Sequence, residues 1–209
     1  MTIQFIDGKS SKTTEVLARG CRDAAALLCE TVGQSIDLMV SQFDFLTMET
    51  RLACAEIGDQ PALLGASQEF SGDLSGHAYL LFEASQGLTL VRKLLGQHRE
   101  PDFMTEIDQS ALTEIANIVI NACLDDLAKG CRGEVRSAVP APVRGTLATV
   151  MRGGAELSAG AMLLCLNLAF RLPEDHVAAE LILLTPADAF AGFWQAAVRD
   201  IRIPIPIHG

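Results

Sequence analysis

The sequence has few cationic residues for its length. Its 209 residues include 16 Lys and Arg against 26 Asp and Glu, which gives a formal net charge of −10 and a pI of about 4.8. Nucleic-acid binding requires a clustered cationic face, whereas these cations are scattered among a larger number of acids. The composition therefore argues against a nucleic-acid partner.

Long apolar runs are also missing. The longest uncharged stretch runs from Leu157 to Phe170 and is interrupted by Ser158 and Asn167. It is shorter than the roughly 18 residues that a membrane-spanning helix needs. The N-terminal residues lack the basic flank and apolar stretch of a secretory signal. We therefore expect a cytoplasmic protein without membrane insertion.

The sequence contains no local motif for a metal, a nucleotide or a serine nucleophile. None of the six cysteines forms a C-x-x-C pair, and the four histidines are dispersed. No metal site is therefore expected, and the cysteines are interpreted as buried thiols. The patterns G-x-x-x-x-G-K-[ST], G-x-G-x-x-G and G-x-S-x-G are absent, so nucleotide-binding and serine-hydrolase functions have no local support.

The sequence does contain enough apolar residues for a packed core, since 49% are hydrophobic and 20% are charged. Helical periodicity predicts helices over about 11–32, 85–95, 106–129 and 187–199. Short apolar runs between turn residues predict strands over 36–45, 50–57, 62–70, 77–82, 134–140, 158–170 and 177–184. Residues 143–151 fit either a short helix or a strand.

The order of a helix, several strands and a second helix occurs twice, on either side of a polar connection at 96–102. An offset of 99 residues superimposes Ser11 on Ser110 and Glu15 on Glu114. The identities are few, and two αβ segments of similar length align by chance at this level. The pattern alone leaves internal duplication open.

One polar stripe follows the helix predicted over 106–129. At about 100° per residue, four polar residues fall within roughly 60° of one another, namely Ser110, Glu114, Asn117 and Asn121. Apolar residues cluster on the opposite side, so the helix packs by that face. A solvated surface is the simple interpretation of such a stripe, and periodicity alone favours it.

The spacing Ser110-x3-Glu114-x2-Asn117-x22-Pro140 carries more information than the stripe. It matches the signature [DS]-x3-E-x2-N-x22-P at every fixed position, and the chain thereby resembles the CheC/CheX/FliY family of chemotaxis phosphatases. The resemblance implies an α+β fold in which two pseudo-symmetric halves, about 1–98 and 99–209, place helices on a mainly antiparallel sheet.

The resemblance also implies a reaction, the hydrolysis of the aspartyl phosphate on a CheY-like receiver domain. The receiver would supply Mg2+ and a lysine, so this chain would bind no cofactor itself. Glu114 would pair with the receiver lysine, and Asn117 would align the attacking water. Ser110 and Pro140 are expected to be structural. Asn121 lies outside the signature, and exposure to solvent is expected for it in preference to a second docking contact.

The first half departs from the signature. Ser11 and Glu15 occupy its first two positions, but Ala18 replaces the asparagine and Ser41 the proline. Since alanine has no carboxamide, we expect a degenerate first site and one competent site at Glu114 and Asn117.

A binding module without catalysis is the alternative function. The resemblance includes flagellar switch components of the same fold, and it allows a CheD-like deamidase as a second partner beside the phosphorylated receiver. The switch relatives generally lack the E-x2-N pair, so Glu114 and Asn117 favour the enzyme.

Overall fold

The computed structural model describes residues 12–55, 61–96, 103–131, 133–152 and 161–189. Its helices are α1 (Lys12–Val32), α2 (Met48–Ala55), α3 (Ala84–Leu94), α4 (Glu106–Cys131) and α5 (Leu147–Arg152). Its strands are β1 (Asp37–Thr47), β2 (Leu63–Gly72), β3 (Gly76–Glu83), β4 (Val135–Ser137), β5 (Ala141–Gly145), β6 (Met162–Arg171) and β7 (His176–Thr185). All the strand pairings are antiparallel, so the predicted α+β class is confirmed.

The sheet interleaves the early and late parts of the chain. Its order is β1-β6-β7-β3-β2, and both β4 and β5 pair with the outer edge of β2. The first strand after α1 thus pairs with β6, and the strands after α4 pair with β2. Each part of the chain therefore completes the hydrogen bonding of the other part's strands.

Apolar residues cover both faces of the sheet. Side chains alternate along a strand, so in β3 Ala78, Leu80 and Phe82 enter a large core that also contains residues of α1, α3 and α4. Tyr79 and Leu81 enter a smaller core on the opposite face, together with residues of α5 and Leu52 of α2. The sheet is consequently a middle layer, with the three longest helices on one side.

Most predicted elements occur within a few residues of their expected bounds, but the strand predicted over 50–57 is wrong. The structure has α2 there, because the Thr47 hydroxyl accepts a hydrogen bond from the backbone N–H of Thr50 at 3.2 Å and caps the helix. Residues 143–151, which were open between strand and helix, divide into the end of β5 and α5. Residues 187–189 are helical, and the rest of that predicted helix lies outside the described residues.

The helices α1 and α4 cross at close range. A Cβ added to Gly20 would lie 3.0 Å from the Cα of Cys123 and 3.2 Å from the carbonyl oxygen of Ala122. Glycine permits this approach because it has no side chain. Within the described residues, none of the helices has the length and apolar character that a bilayer crossing demands.

Candidate functional site

A reciprocal cap begins the helix that carries the polar stripe. The Asp108 carboxylate accepts hydrogen bonds from the backbone N–H of Thr105 at 2.9 Å and from its hydroxyl at 2.8 Å. The Thr105 hydroxyl in turn accepts one from the backbone N–H of Asp108 at 3.2 Å. This arrangement satisfies N–H groups that have no partner within the helix and fixes where α4 starts.

The polar stripe of α4 forms one wall of a groove of about 680 Å3, which we call the α4 groove. The structure brings together all four signature residues, since Ser110, Glu114, Asn117 and Pro140 line it. The opposite wall consists of Ser137, the loop 138–140 and Pro142. The Glu114 side chain is exposed and Asn117 is half-buried.

Three side-chain amides meet at the base of the α4 groove. The Nε2 of Gln68, a residue of β2, donates to the backbone carbonyl of Ala138 at 2.7 Å. It lies 3.3 Å from the Oδ1 atoms of both Asn117 and Asn121. The Nδ2 of Asn121 donates to the Oδ1 of Asn117 at 2.9 Å. Asn117 is thus held through its carbonyl oxygen from two sides.

The loop 138–140 lies where the edge of the sheet is interrupted. β4 pairs with Phe70–Gly72 and β5 with Leu63–Ser67, so the residues between them leave the ladder. The backbone N–H of Ala138 still donates to the carbonyl of Glu69 at 2.8 Å. Pro140 has no N–H to donate, and it therefore fits a position at which the strand is broken.

Two groups of the site were not anticipated from the sequence. Asn121 was expected in solvent, but it is half-buried and bonded to Asn117. Gln68 was missed altogether, although it is only 2% exposed. Its inward neighbours two residues away, Ala66 and Phe70, both belong to the core. A glutamine in such an alternating apolar series is the sequence feature that would have revealed it.

The corresponding residues of the first half form a different surface. Glu15 is exposed on α1 and Ala18 is half-buried. Ser41 lies at the register shift in β1, where its hydroxyl donates to the backbone carbonyl of Asn167 at 3.0 Å. Ser11 lies outside the described residues. No carboxamide is available at Ala18 to repeat the geometry of Asn117.

The α4 groove is equipped to position groups. The exposed Glu114 carboxylate can pair with a cation on a partner, and Asn117 can hydrogen-bond a water or a polar atom. In the part of the chain that the structure describes, no three His, Cys, Asp or Glu side chains are arranged to hold a metal ion.

The family model of the chemotaxis phosphatase CheX matches residues 64–158. This span includes most of β2, all of α4 and both walls of the α4 groove. A search of the curated proteins found no match.

Solved structures share the whole fold at low sequence identity. FliY from Thermotoga maritima is 13% identical, with a TM-score of 0.72 over 93% of this chain and 98% of that chain. The FliM middle domain from H. pylori is 11% identical, with a TM-score of 0.61 over 88% and 95%. A chain of the CheX-CheY-BeF3-Mg2+ complex from Borrelia burgdorferi is 15% identical, with a TM-score of 0.50 over 81% and 97%. At these identities the likeness is one of fold.

Proposed function

We propose that this chain is a member of the CheC/CheX/FliY family that hydrolyses the aspartyl phosphate of a CheY-like receiver domain, because the family model of the chemotaxis phosphatase CheX matches residues 64–158. One observation carries the proposal. The carboxylate of Glu114 and the carboxamide of Asn117, one turn apart on α4, face the same open groove.

The chemistry explains why these two residue types suffice. Water attacks the phosphorus, the bond to the aspartyl oxygen breaks, and the receiver aspartate and inorganic phosphate are released. Such transfers depend mainly on in-line positioning and on stabilisation of charge. Asn117 would hold the water in line, which removes much of the entropic part of the barrier. Glu114 would pair with a cationic side chain of the receiver and fix the docking register.

The partner is inferred from the comparison with solved structures. The Borrelia burgdorferi complex contains CheX with CheY, BeF3 and Mg2+, and an Mg2+ ion in the receiver would neutralise charge on the phosphoryl oxygens. This chain would then need no metal of its own. A CheD-like deamidase remains a prediction from the family resemblance.

A binding module is the second candidate function. The FliM middle domain has the same fold, and the structure of a FliG-FliM complex from H. pylori supports a role in which the chain binds a partner without catalysis. The Glu114 and Asn117 pair supports the phosphatase over this alternative.

Substitution of Asn117 tests the proposal. We expect the purified protein to accelerate phosphate loss from at least one phosphorylated receiver domain of the same genome in the presence of Mg2+. Asn117→Ala removes the group that positions the water, so the acceleration should fall about a hundredfold. The rate of radiolabelled phosphate release from the receiver measures both effects.

Asn167→Ala serves as the matched control, because Asn167 is an exposed asparagine on β6 outside the α4 groove. It should dephosphorylate the receiver at the wild-type rate. Full activity of Asn117→Ala would remove Asn117 from the mechanism. Binding of a receiver without any acceleration by the wild-type protein would favour the binding module.

A further inference from the structure

A buried glutamine from the first half of the chain reaches the α4 groove. Gln68 is 2% exposed and belongs to the same face of β2 as Leu64, Ala66 and Phe70. Burial of an amide among apolar residues costs free energy unless its hydrogen bonds are made. The contacts of its Nε2 atom therefore determine whether this position is tolerated.

The backbone determines the orientation of this amide. The carbonyl oxygen of Ala138 can only accept, so the group 2.7 Å from it must be the Nε2 of Gln68. The second Nε2 hydrogen then points at the Oδ1 atoms of Asn117 and Asn121, each at 3.3 Å. Reversal of the Asn117 amide would set its N–H groups against those of Gln68 and Asn121.

The orientation of Asn117 follows from these contacts. Its Oδ1 accepts from Gln68 and from Asn121, so the Nδ2 is the part of the carboxamide that remains for the α4 groove. We propose that Gln68, together with Asn121, is a positioning residue that holds Asn117 with its amide N–H groups directed to the attacking water. The inference rests on the proposed function, which it deepens.

Gln68 also joins the two walls of the α4 groove. Asn117 lies on the helix wall, whereas Ala138 begins the loop that leads to Pro140. One amide group bonds to both. The Oε1 of Gln68 is buried and has no hydrogen-bond partner among the described residues, which costs stability. If packing were the only requirement, leucine would fill this position without the cost of a buried, unbonded oxygen.

The corresponding positions of α1 and β6 support the coupling of Gln68 with Asn117. In β6 the inward-facing row is Leu164, Leu166, Leu168 and Phe170. Its final phenylalanine corresponds to Phe70, so Leu168 occupies the position of Gln68. Ala18 occupies the position of Asn117. The site on α1 therefore lacks both the carboxamide of Asn117 and the glutamine at the corresponding strand position.

The test combines Gln68→Met, which keeps the length and removes the donor, with Asn117→Ala in a double-mutant cycle. We expect Gln68→Met to lower the maximal rate of receiver dephosphorylation about tenfold to a hundredfold, with little change in KM. In the Asn117→Ala background it should have no further effect, because Gln68 acts through Asn117. Gln34→Met is the control, since Gln34 also donates to a backbone carbonyl, that of Lys93 at 3.1 Å, outside the α4 groove.

A second measurement does not depend on the reaction. The side-chain amide NMR signals of Asn117, identified by their loss in Asn117→Ala, should shift in Gln68→Met and stay unchanged in Gln34→Met. Unchanged signals in a folded Gln68→Met protein would overturn the inference, as would equal losses of rate from Gln68→Met with and without Asn117. If the wild-type protein dephosphorylates no receiver, the proposed function fails, and the NMR shift alone decides whether Gln68 orients Asn117.

Discussion

Among single side chains, Glu114 and Asn117 meet opposite physical demands. Asn117 is half-buried and its carbonyl oxygen accepts hydrogen bonds from Gln68 and Asn121, which suits the proposed role of holding a water. Glu114 is exposed, which suits the proposed role of pairing with a cation on the receiver. From their difference in burial we expect that loss of Asn117 affects the rate of the chemical step and that loss of Glu114 affects docking.

Glu114→Gln should therefore raise the KM for a phosphorylated receiver about tenfold and leave the maximal rate within about a factor of three, because it removes a charge pair at the rim of an interface. The KM of the wild-type protein should rise with salt concentration more steeply than that of the variant. Steady-state kinetics at two salt concentrations measure both quantities.

Glu134→Gln is the control for charge, since Glu134 is exposed and lies outside the α4 groove. A Glu114→Gln protein with unchanged KM and an unchanged salt dependence would show that Glu114 does not dock the receiver.

The sequence predicted the site residues that share one helix. It did not predict Gln68, which contacts Asn117 from a distant part of the chain. Ser110, Glu114 and Asn117 could be placed together because helical spacing converts their numbers into a common face. Gln68 lies 49 positions before Asn117, and no local rule relates a strand to a helix at that separation. Their contact depends on the pairing of β2 with the strands that follow α4.

Among the secondary-structure elements, the short helices show why local patterns fail. Both α2 and α5 begin after a threonine whose hydroxyl lies 3.0 Å from that of a second threonine three residues later, in the pairs Thr47 and Thr50, and Thr146 and Thr149. Eight residues or fewer contain too little periodicity to distinguish a helix from a strand. The side-chain cap decides the outcome, and the tertiary core then fixes the helix in place.

The crossing of α1 and α4 gives a prediction for this element pair. Gly20→Ala should lower the free energy of unfolding by about 1–3 kcal/mol, because the nearest atoms to the new methyl group belong to the backbone of α4. Alanine has the higher helix propensity by about 1 kcal/mol, but displacement of a packed helix costs more. Urea denaturation measures the change.

Gly130→Ala is the matched substitution. Gly130 lies on α4 as Gly20 lies on α1, but its new methyl group would meet the Val16 side chain at an ordinary 3.4 Å. This variant should gain stability through helix propensity. Equal effects of the two substitutions would show that the helices separate without cost.

For the whole molecule, the organising feature is the pairing of strands from one half of the chain with strands from the other half. The order α1-β1-α2-β2-β3-α3 and the order α4-β4-β5-α5-β6-β7 follow the same plan, and β3 and β7 pair at the centre of the sheet. We infer that the halves 1–98 and 99–209 derive from one duplicated unit. The capped helices α2 and α5, and the rows that end in Phe70 and Phe170, occupy corresponding places and support this inference.

The pairing of strands between the two halves predicts that neither half folds alone. A fragment of residues 1–98 would leave β1 without β6, and a fragment of 99–209 would leave β5 without β2. Each fragment should show weak circular dichroism and no cooperative melting. An equimolar mixture should regain the circular dichroism signal of the whole chain and its cooperative melting. Cooperative melting of either fragment by itself would contradict the prediction.

The antiparallel pairing of β1 with β6 also constrains how the chain folds during synthesis. Asp37 pairs with Arg171, and at roughly 5–20 residues per second a ribosome needs on the order of ten seconds to make the intervening chain. Throughout that interval β1 has no native strand beside it. Contacts so distant in sequence slow folding. The nascent first half exposes β1 as an unpaired strand, and chaperones can bind it until the hairpin of β6 and β7 emerges.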